Sequence, residues 1–273
     1  MMYFILLLFG LLAGITTVLF GFGGGFVVVP LLYSVLLTTY GPHSAIGEAA
    51  MHVAVATSTC VMIFAASMAT LRHHKAGTLQ WEQVRPLMAF MAVGAALGAF
   101  AATRFGGDWL RWAFIAYLGL TILDSLLRSG FLRQPDASAQ RMSPISRPQA
   151  AGFGLVIGAI AAFLGVGGSV MTVPLMRRRG ASMTAATAMA NPLSLPMAVT
   201  ASLSYALLTS RDMAPLGNWY AGYVDLAACL ALVAGSWLGI RLGGLWIGKI
   251  ADRTHARAYI GLLSLVLLVM LIV

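Results

Sequence analysis

Ten apolar runs separated by short polar gaps leave this chain one medium in which to fold, a lipid bilayer. The runs cover roughly residues 2–20, 26–39, 48–71, 84–104, 109–128, 150–164, 169–176, 182–209, 218–246 and 256–273. Only 9% of the residues are charged, and mean hydropathy is +0.88. Soluble domains carry about a quarter charged residues, so this chain cannot clothe a water-facing surface. The runs take up nearly every residue and leave no soluble catalytic domain, so no enzyme is expected. The net charge of +9 comes from Lys and Arg in the gaps between runs, where membrane topology puts them. No basic stripe interleaved with aromatics appears, which sets nucleic acid aside as a partner. The first run has no basic leader and no small-residue cleavage site, so it reads as a retained segment rather than a signal peptide. Cys60 and Cys229 each lie inside an apolar run and read as packing residues.

Two runs, 26–39 and 169–176, fall short of the about 20 residues needed to cross the hydrocarbon core. Each follows a glycine cluster, as one limb of a broken or re-entrant element would. Gly21-Phe22-Gly23-Gly24-Gly25 leads through four residues to Pro30, and Gly165-Val166-Gly167-Gly168-Ser169 leads through four to Pro174. Further along, Ala56-Thr57-Ser58 corresponds to Ala186-Thr187-Ala188, and Gly94-x3-Gly98 to Gly235-x3-Gly239. Three matches in one order point to a duplication. The expected architecture is all-α: a polytopic transmembrane bundle of two repeats, each opening with a glycine-rich broken or re-entrant helix pair. The repeats span 1–128 and 150–273, joined by a polar linker at 129–149 that carries Arg133, Arg141, Arg147, Pro135, Pro144 and Pro148. Basic clusters at Arg72–Lys75, in the linker, at Arg177-Arg178-Arg179 and around Lys249–Arg257 all reach the cytoplasm if each glycine-rich pair starts and ends on one side. The repeats are then inverted. The rival topology, eight crossings with parallel repeats, puts three consecutive arginines outside.

A half-helix starting just after a glycine break points unpaired N–H groups and a positive dipole end into the protein, and that arrangement binds anions without a formal charge. The expected substrate site therefore comprises Gly21, Gly23, Gly24 and Gly25 from one break, and Gly165, Gly167, Gly168 and Ser169 from the other. Thr57, Ser58, Thr187 and Asn191 add polar groups from neighbouring apolar runs. Each also has a bland reading: close helix packing for the glycines, interhelical or back-bonded hydrogen bonds for the polar side chains. His52 lies four residues after Glu48 on the same helical face, and an ionisable residue inside a membrane is a functional candidate. The pair is the candidate for proton coupling. Asp124 is expected to pair with Arg128, Asp225 to serve structure near a segment start, and Arg104 and Arg241 to snorkel at the interface. His73, His74 and Lys75 read as loop charges. No nucleophile–base pattern, Walker motif or metal quartet is found, so no cofactor and no metal is expected.

The doubled G-[FV]-G-G-[GS]-x4-P motif, with Ala56-Thr57-Ser58 after its first copy, resembles the TauE/SafE sulfite exporter family, also called the 4-toluenesulfonate uptake permease family. The resemblance covers essentially the whole chain. It implies a multi-pass permease of a bacterial or archaeal inner (cytoplasmic) membrane that carries sulfite, sulfonates or related anions. Two positions depart from the pattern, Ser169 for the last glycine and Ala188 for the serine of the A-T-S triplet. The expected function is secondary transport of a small anion by alternating access, with a passive anion channel as runner-up and a membrane anchor for a partner protein third. The expected partners are the anion, the lipid bilayer and a second copy of the chain in a homodimer.

Overall fold

The computed structural model describes residues 2–127, 131, 145–207 and 218–272. Most of the polar linker, with Arg133, Arg141, Pro135 and Pro144, lies outside the described residues, as does Arg128, the expected partner of Asp124. The chain is an all-α bundle. Its helices are α1 (Met2–Phe20), α2 (Gly25–Tyr40), the short α3 (Ala45–Glu48), α4 (Ala50–Lys75), α5 (Trp81–Ala102) and α6 (Gly107–Leu127). After the linker come α7 (Arg147–Leu164), α8 (Ser169–Arg178), α9 (Met183–Leu207), α10 (Leu226–Gly243) and α11 (Asp252–Ile272). Seven of the described helices, α1, α4, α5, α6, α7, α10 (extended to Trp246) and α11, have the length and apolarity to cross a membrane. At 16 and 10 residues, α2 and α8 are too short. Threonines, Asn191, Ser194 and two prolines make α9 more polar, and it is largely buried. The apolar run expected at 218–246 is split. A minimal hairpin pairs β1 (Tyr220–Ala221) with β2 (Val224–Asp225), and the Asp225 side chain then caps α10 by accepting from the Ala228 N–H at 2.9 Å.

Glycines set the closest helix contacts. A methyl group built on Gly14 would lie 2.2 Å from the Ser236 carbonyl oxygen, and one on Gly239 would lie 2.1 Å from that of Leu11. Backbones in such contact need small residues at the crossing. Gly10 faces Leu232 and Gly14 faces Ser236, so α1 and α10 run parallel. The same geometry recurs elsewhere: Gly94 faces Leu155, Gly98 faces Ala159 and Gly158 faces Met91, which makes α5 and α7 parallel.

These contacts set the directions of the helices around the two breaks. The Asp225 N–H donates to Thr57 Oγ1 and Arg72 lies beside Gly244, so α4 runs with α10 and α1. The start of α2 touches Val61, Met62 and Ala65 halfway along α4, while its end connects to the start of α4. The chain therefore reverses at the first glycine break. His52 at the start of α4 reaches the Phe105 carbonyl beyond α5, and the turn 76–80 joins the other ends, so α5 opposes α4. Because α7 follows α5, α7 runs opposite to α1. Gly167 before α8 touches Ser194 midway along α9, while Arg177 at the other end of α8 bonds Ala181, so the chain reverses at the second break too.

Most of the described basic residues gather at one end, Arg104 and Arg111 excepted. There Arg177, its side chain 1% exposed, pairs with Asp252 at 2.9 Å and donates to the carbonyls of Phe131 and Ala181. Arg178 pairs with Asp124, which takes the role expected of Arg128. The second pair is about one-third exposed on both sides, and exposed pairs contribute about 0–1 kcal/mol. Removing one partner of a buried pair costs about 3–5 kcal/mol, because the other charge is left uncompensated. Arg177→Ala is thus expected to lower the melting temperature in detergent far more than Arg178→Ala, as a thermal scan of the two variants checks.

Candidate functional site

The two glycine breaks meet each other at the centre of the bundle. Gly21, Gly23 and Gly24 sit at φ of 74°, 66° and 90°, and Gly165 at 67°, backbone conformations that side chains with a Cβ rarely adopt. A Cβ on Gly25 would lie 2.5 Å from the Gly165 carbonyl oxygen, and one on Gly167 would lie 2.7 Å from that of Phe22. Each break also presses on the first third of a long helix. Gly21 meets Thr187 and Ala190 of α9, and Gly165 meets Val55 and Ser58 of α4. Ser194 Oγ would lie 3.4 Å from a Cβ on Gly23 and 3.2 Å from one on Gly167, so it stands between the two breaks.

Both short helices start here. The N–H groups of Gly25, Phe26 and Val27 at the head of α2 donate to no acceptor among the described residues, and neither do those of Ser169 and Val170 at the head of α8. Two positive helix ends with open donors thus start, buried, from the breaks that touch each other. Asn191 is fully buried; its Nδ2 donates to the Thr187 carbonyl at 3.2 Å, and its Oδ1 has no partner. Thr172, one turn into α8, has an unpartnered buried Oγ1. Ser58 donates to the Gly165 carbonyl at 2.8 Å or that of Val55 at 2.7 Å, tying α4 to the second break.

Of the expected substrate residues, the structure gathers Gly21, Gly23, Gly25, Gly165, Gly167, Ser169, Ser58, Thr187 and Asn191 around the touching breaks. Gly24 turns towards Thr17 and Ala65, and Gly168 towards Met91 and Ile157. Thr57 is engaged elsewhere, accepting the Asp225 N–H at 3.0 Å. The packing sets Thr187 against Gly21 as Val55 is set against Gly165, so Thr187 occupies the place of Val55 rather than of Thr57. His52 lies one turn before Val55, the residue that meets Gly165; its Nε2 is 3.0 Å from the Phe105 carbonyl oxygen and its ring is stacked on Tyr223. Glu48 is exposed and closes α3; the turn at Ala49 separates it from the helix of His52. Ser194, Met62 and Thr172 join the site without having stood out in the sequence. Ser194 carried a signal, since it lies between Pro192 and Pro196 in a buried helix, one turn after Asn191. Arg104 and Arg241 stack over Phe100 and Trp237, at 4.8 and 4.1 Å from the ring centres.

A multi-pass bundle with paired broken helices meeting at a buried centre defines a membrane protein of the transporter class. The chain belongs to the TauE/SafE family: the family model described as sulfite exporter TauE/SafE matches residues 6–270. It is 27% identical over 257 residues to a probable membrane transporter protein of Haemophilus influenzae, covering 93% of this chain and 92% of that one. It is 25% identical over 266 residues to the probable membrane transporter protein YunE of Bacillus subtilis, with the same coverage of 93% and 92%. A 24% match to the probable membrane transporter protein MamO of Paramagnetospirillum magneticum spans 97% of this chain and 44% of that protein. No solved structure matches.

Proposed function

We propose that this protein is a secondary carrier for a small oxyanion in a cytoplasmic membrane, with sulfite, an organosulfonate or a related sulfur-containing anion as cargo. In support, five open N–H donors from two helix starts, with Ser194 and Asn191 beside them, offer an anion hydrogen bonds without a competing carboxylate. The family membership adds sulfur-containing anions as the cargo class. Two inverted repeats, α1–α6 and α7–α11, would supply the movement. Opposite directions of α1 and α7 support this, as do the matched pairs α1 with α10 and α7 with α5. Rotation of one α-hairpin would part Gly25 from the Gly165 carbonyl, admit the anion, and expose the site first to one side and then to the other.

Reconstitution in proteoliposomes tests the proposal. Uptake of labelled sulfite or a sulfonate is expected to saturate and to be stimulated by the same anion trapped inside. Flux that rises linearly with concentration and shows no counterflow would mean a passive channel instead.

A further inference from the structure

The last turn of α1 is gripped at two successive carbonyls by two buried histidines. His73, near the end of α4, donates its Nε2–H to the Val18 carbonyl at 2.8 Å, and His255, in the first turn of α11, donates its Nε2–H to the Leu19 carbonyl at 2.6 Å. Their side chains belong to residues only 1% and 3% exposed. Carbonyl oxygen only accepts, so Nε2 carries hydrogen on both rings and Nδ1 is where a proton would add. Two residues beyond Leu19 the chain enters the glycine break.

The other break has a matching clamp of different chemistry. Val18 lies three residues before Gly21, and Ala162 three residues before Gly165. The Ala162 carbonyl accepts from the hydroxyl of Tyr205, near the end of α9, at 2.8 Å. Tyr205 stands to α9 as His73 stands to α4. Each lies 15 residues beyond the side chain that meets the opposite break, Ala190 at Gly21 and Ser58 at Gly165. In water an imidazole takes up a proton near neutral pH and a phenol does not, so the two clamps differ in proton chemistry.

We propose that His73 and His255 form the proton-binding site that couples proton movement to anion transport, acting as positioning residues through the end of α1. This rests on the carrier reading above. His73 is built for both charge states. When it is neutral, Thr78 Oγ1 at 2.9 Å donates to Nδ1; when a proton from water arrives at Nδ1, the Thr78 hydroxyl turns, accepts from Nδ1–H and donates to the His73 carbonyl at 3.2 Å. Ala76 and Gly77 in this turn are exposed, which gives water access. At His255, Nδ1 is buried without a partner. A charged imidazole is a stronger donor than a neutral one and is favoured at a helix C-terminus, so protonation tightens the grip on α1 and its loss frees the hairpin.

The rings stand at adjacent carbonyls, and a charge on one disfavours a charge on the other, so the pair takes up one proton. His255 faces Arg177 from α8, Asp252 on its own helix and His73 from α4. Asp124 of α6, at the same end, is held by Arg178. The other helices packed on α11, α1, α2 and α9, carry no charged residue. His73 has Arg72, His74 and Lys75 on its own helix; from α10, Arg241 is stacked on Trp237.

Proteoliposomes with an imposed pH gradient test the coupling, read as the inside-to-outside ratio of the anion with counterflow measured beside it. One proton per anion gives wild-type accumulation of about ten-fold per pH unit. In His73→Gln/His255→Gln the ratio is expected to fall to near one, because the amide still donates to the carbonyl but holds no extra proton. His73→Tyr places the other clamp's residue here and is expected to lower the ratio likewise. Should the variants lose counterflow altogether, wild-type protein in weakly buffered detergent decides: binding of sulfate or a sulfonate is expected to shift bulk pH through proton uptake or release. Driven accumulation that persists in the variants, or is lost in His52→Gln instead, overturns the proposal. So does wild-type counterflow without pH-driven accumulation, or anion binding that leaves bulk pH unmoved. Absence of any wild-type counterflow would instead count against the carrier itself.

Discussion

Leucine at both Gly24 and Gly167 is expected to abolish saturable anion flux while the bundle still forms. At Gly24 the φ of 90° already disfavours any side chain, and a Cβ there would sit 3.2 Å from that of Ala65. A Cβ at Gly167 would come 2.7 Å from the Phe22 carbonyl oxygen. Leucine at these two positions pushes the breaks apart and covers the open N–H groups at the heads of α2 and α8. Hydrogen bonds to a charged group contribute about 1.5–3 kcal/mol each, so losing two weakens anion binding by roughly 100-fold or more. Counterflow in proteoliposomes, beside a size-exclusion profile that shows intact protein, measures it. Undiminished flux in folded variant protein would remove the breaks from the transport path.

A comparable loss, of stability rather than transport, is expected at the glycine crossings. Gly14→Leu drives a side chain into the Ser236 carbonyl at 2.2 Å, and Gly98→Leu into that of Ala159 at 2.0 Å. Overpacking typically costs about 1–3 kcal/mol, and these sites fall at the upper end or beyond because backbone, not a flexible side chain, must give way. Gly119→Leu and Gly261→Leu meet nothing within 4 Å, so they serve as internal controls with little change. Melting curves in one detergent should separate the two pairs clearly. The two crossing variants should fall together, since Gly14 and Gly98 each meet a backbone carbonyl at a parallel crossing, α1 with α10 and α5 with α7.

Much of this was legible in the sequence because lipid imposes strong rules. Apolar length gave most helices to within a few residues, the split run at 218–246 excepted, and glycine clusters marked both reversals, since a non-helical backbone at membrane depth must be buried. The two short runs became α2 and α8. Both G-x3-G pairs proved to be helix crossings, Gly94 and Gly98 on α7 and Gly235 and Gly239 on α1. Less legible was anything set by contact across the bundle. The A-T-S match suggested that Thr57 and Thr187 are equivalent, but the close approaches at Gly21 and Gly165 shift that register by two residues. His73 looked like a loop charge because it sits among Arg72, His74 and Lys75. The last turn of α1, packed on the end of α4, buries it and meets it with the Val18 carbonyl. Ser194 had no partner in the sequence pattern, because its place between the breaks depends on both hairpins at once. The end of the 109–128 run showed the same limit: Asp124 is paired by Arg178, 54 residues away, rather than by a near neighbour.

The central claim is that an oxyanion is held between the heads of α2 and α8. Selenite and selenate share the charge and shape of sulfite and sulfate and scatter anomalously. A crystal of this protein soaked with either is expected to show one anomalous peak within hydrogen-bond distance of the backbone nitrogens of Gly25 or Phe26 and of Ser169 or Val170, near Ser194. Selenium peaks confined to the basic end around Arg72 and Arg179, from protein that exchanges selenite in liposomes, would contradict it.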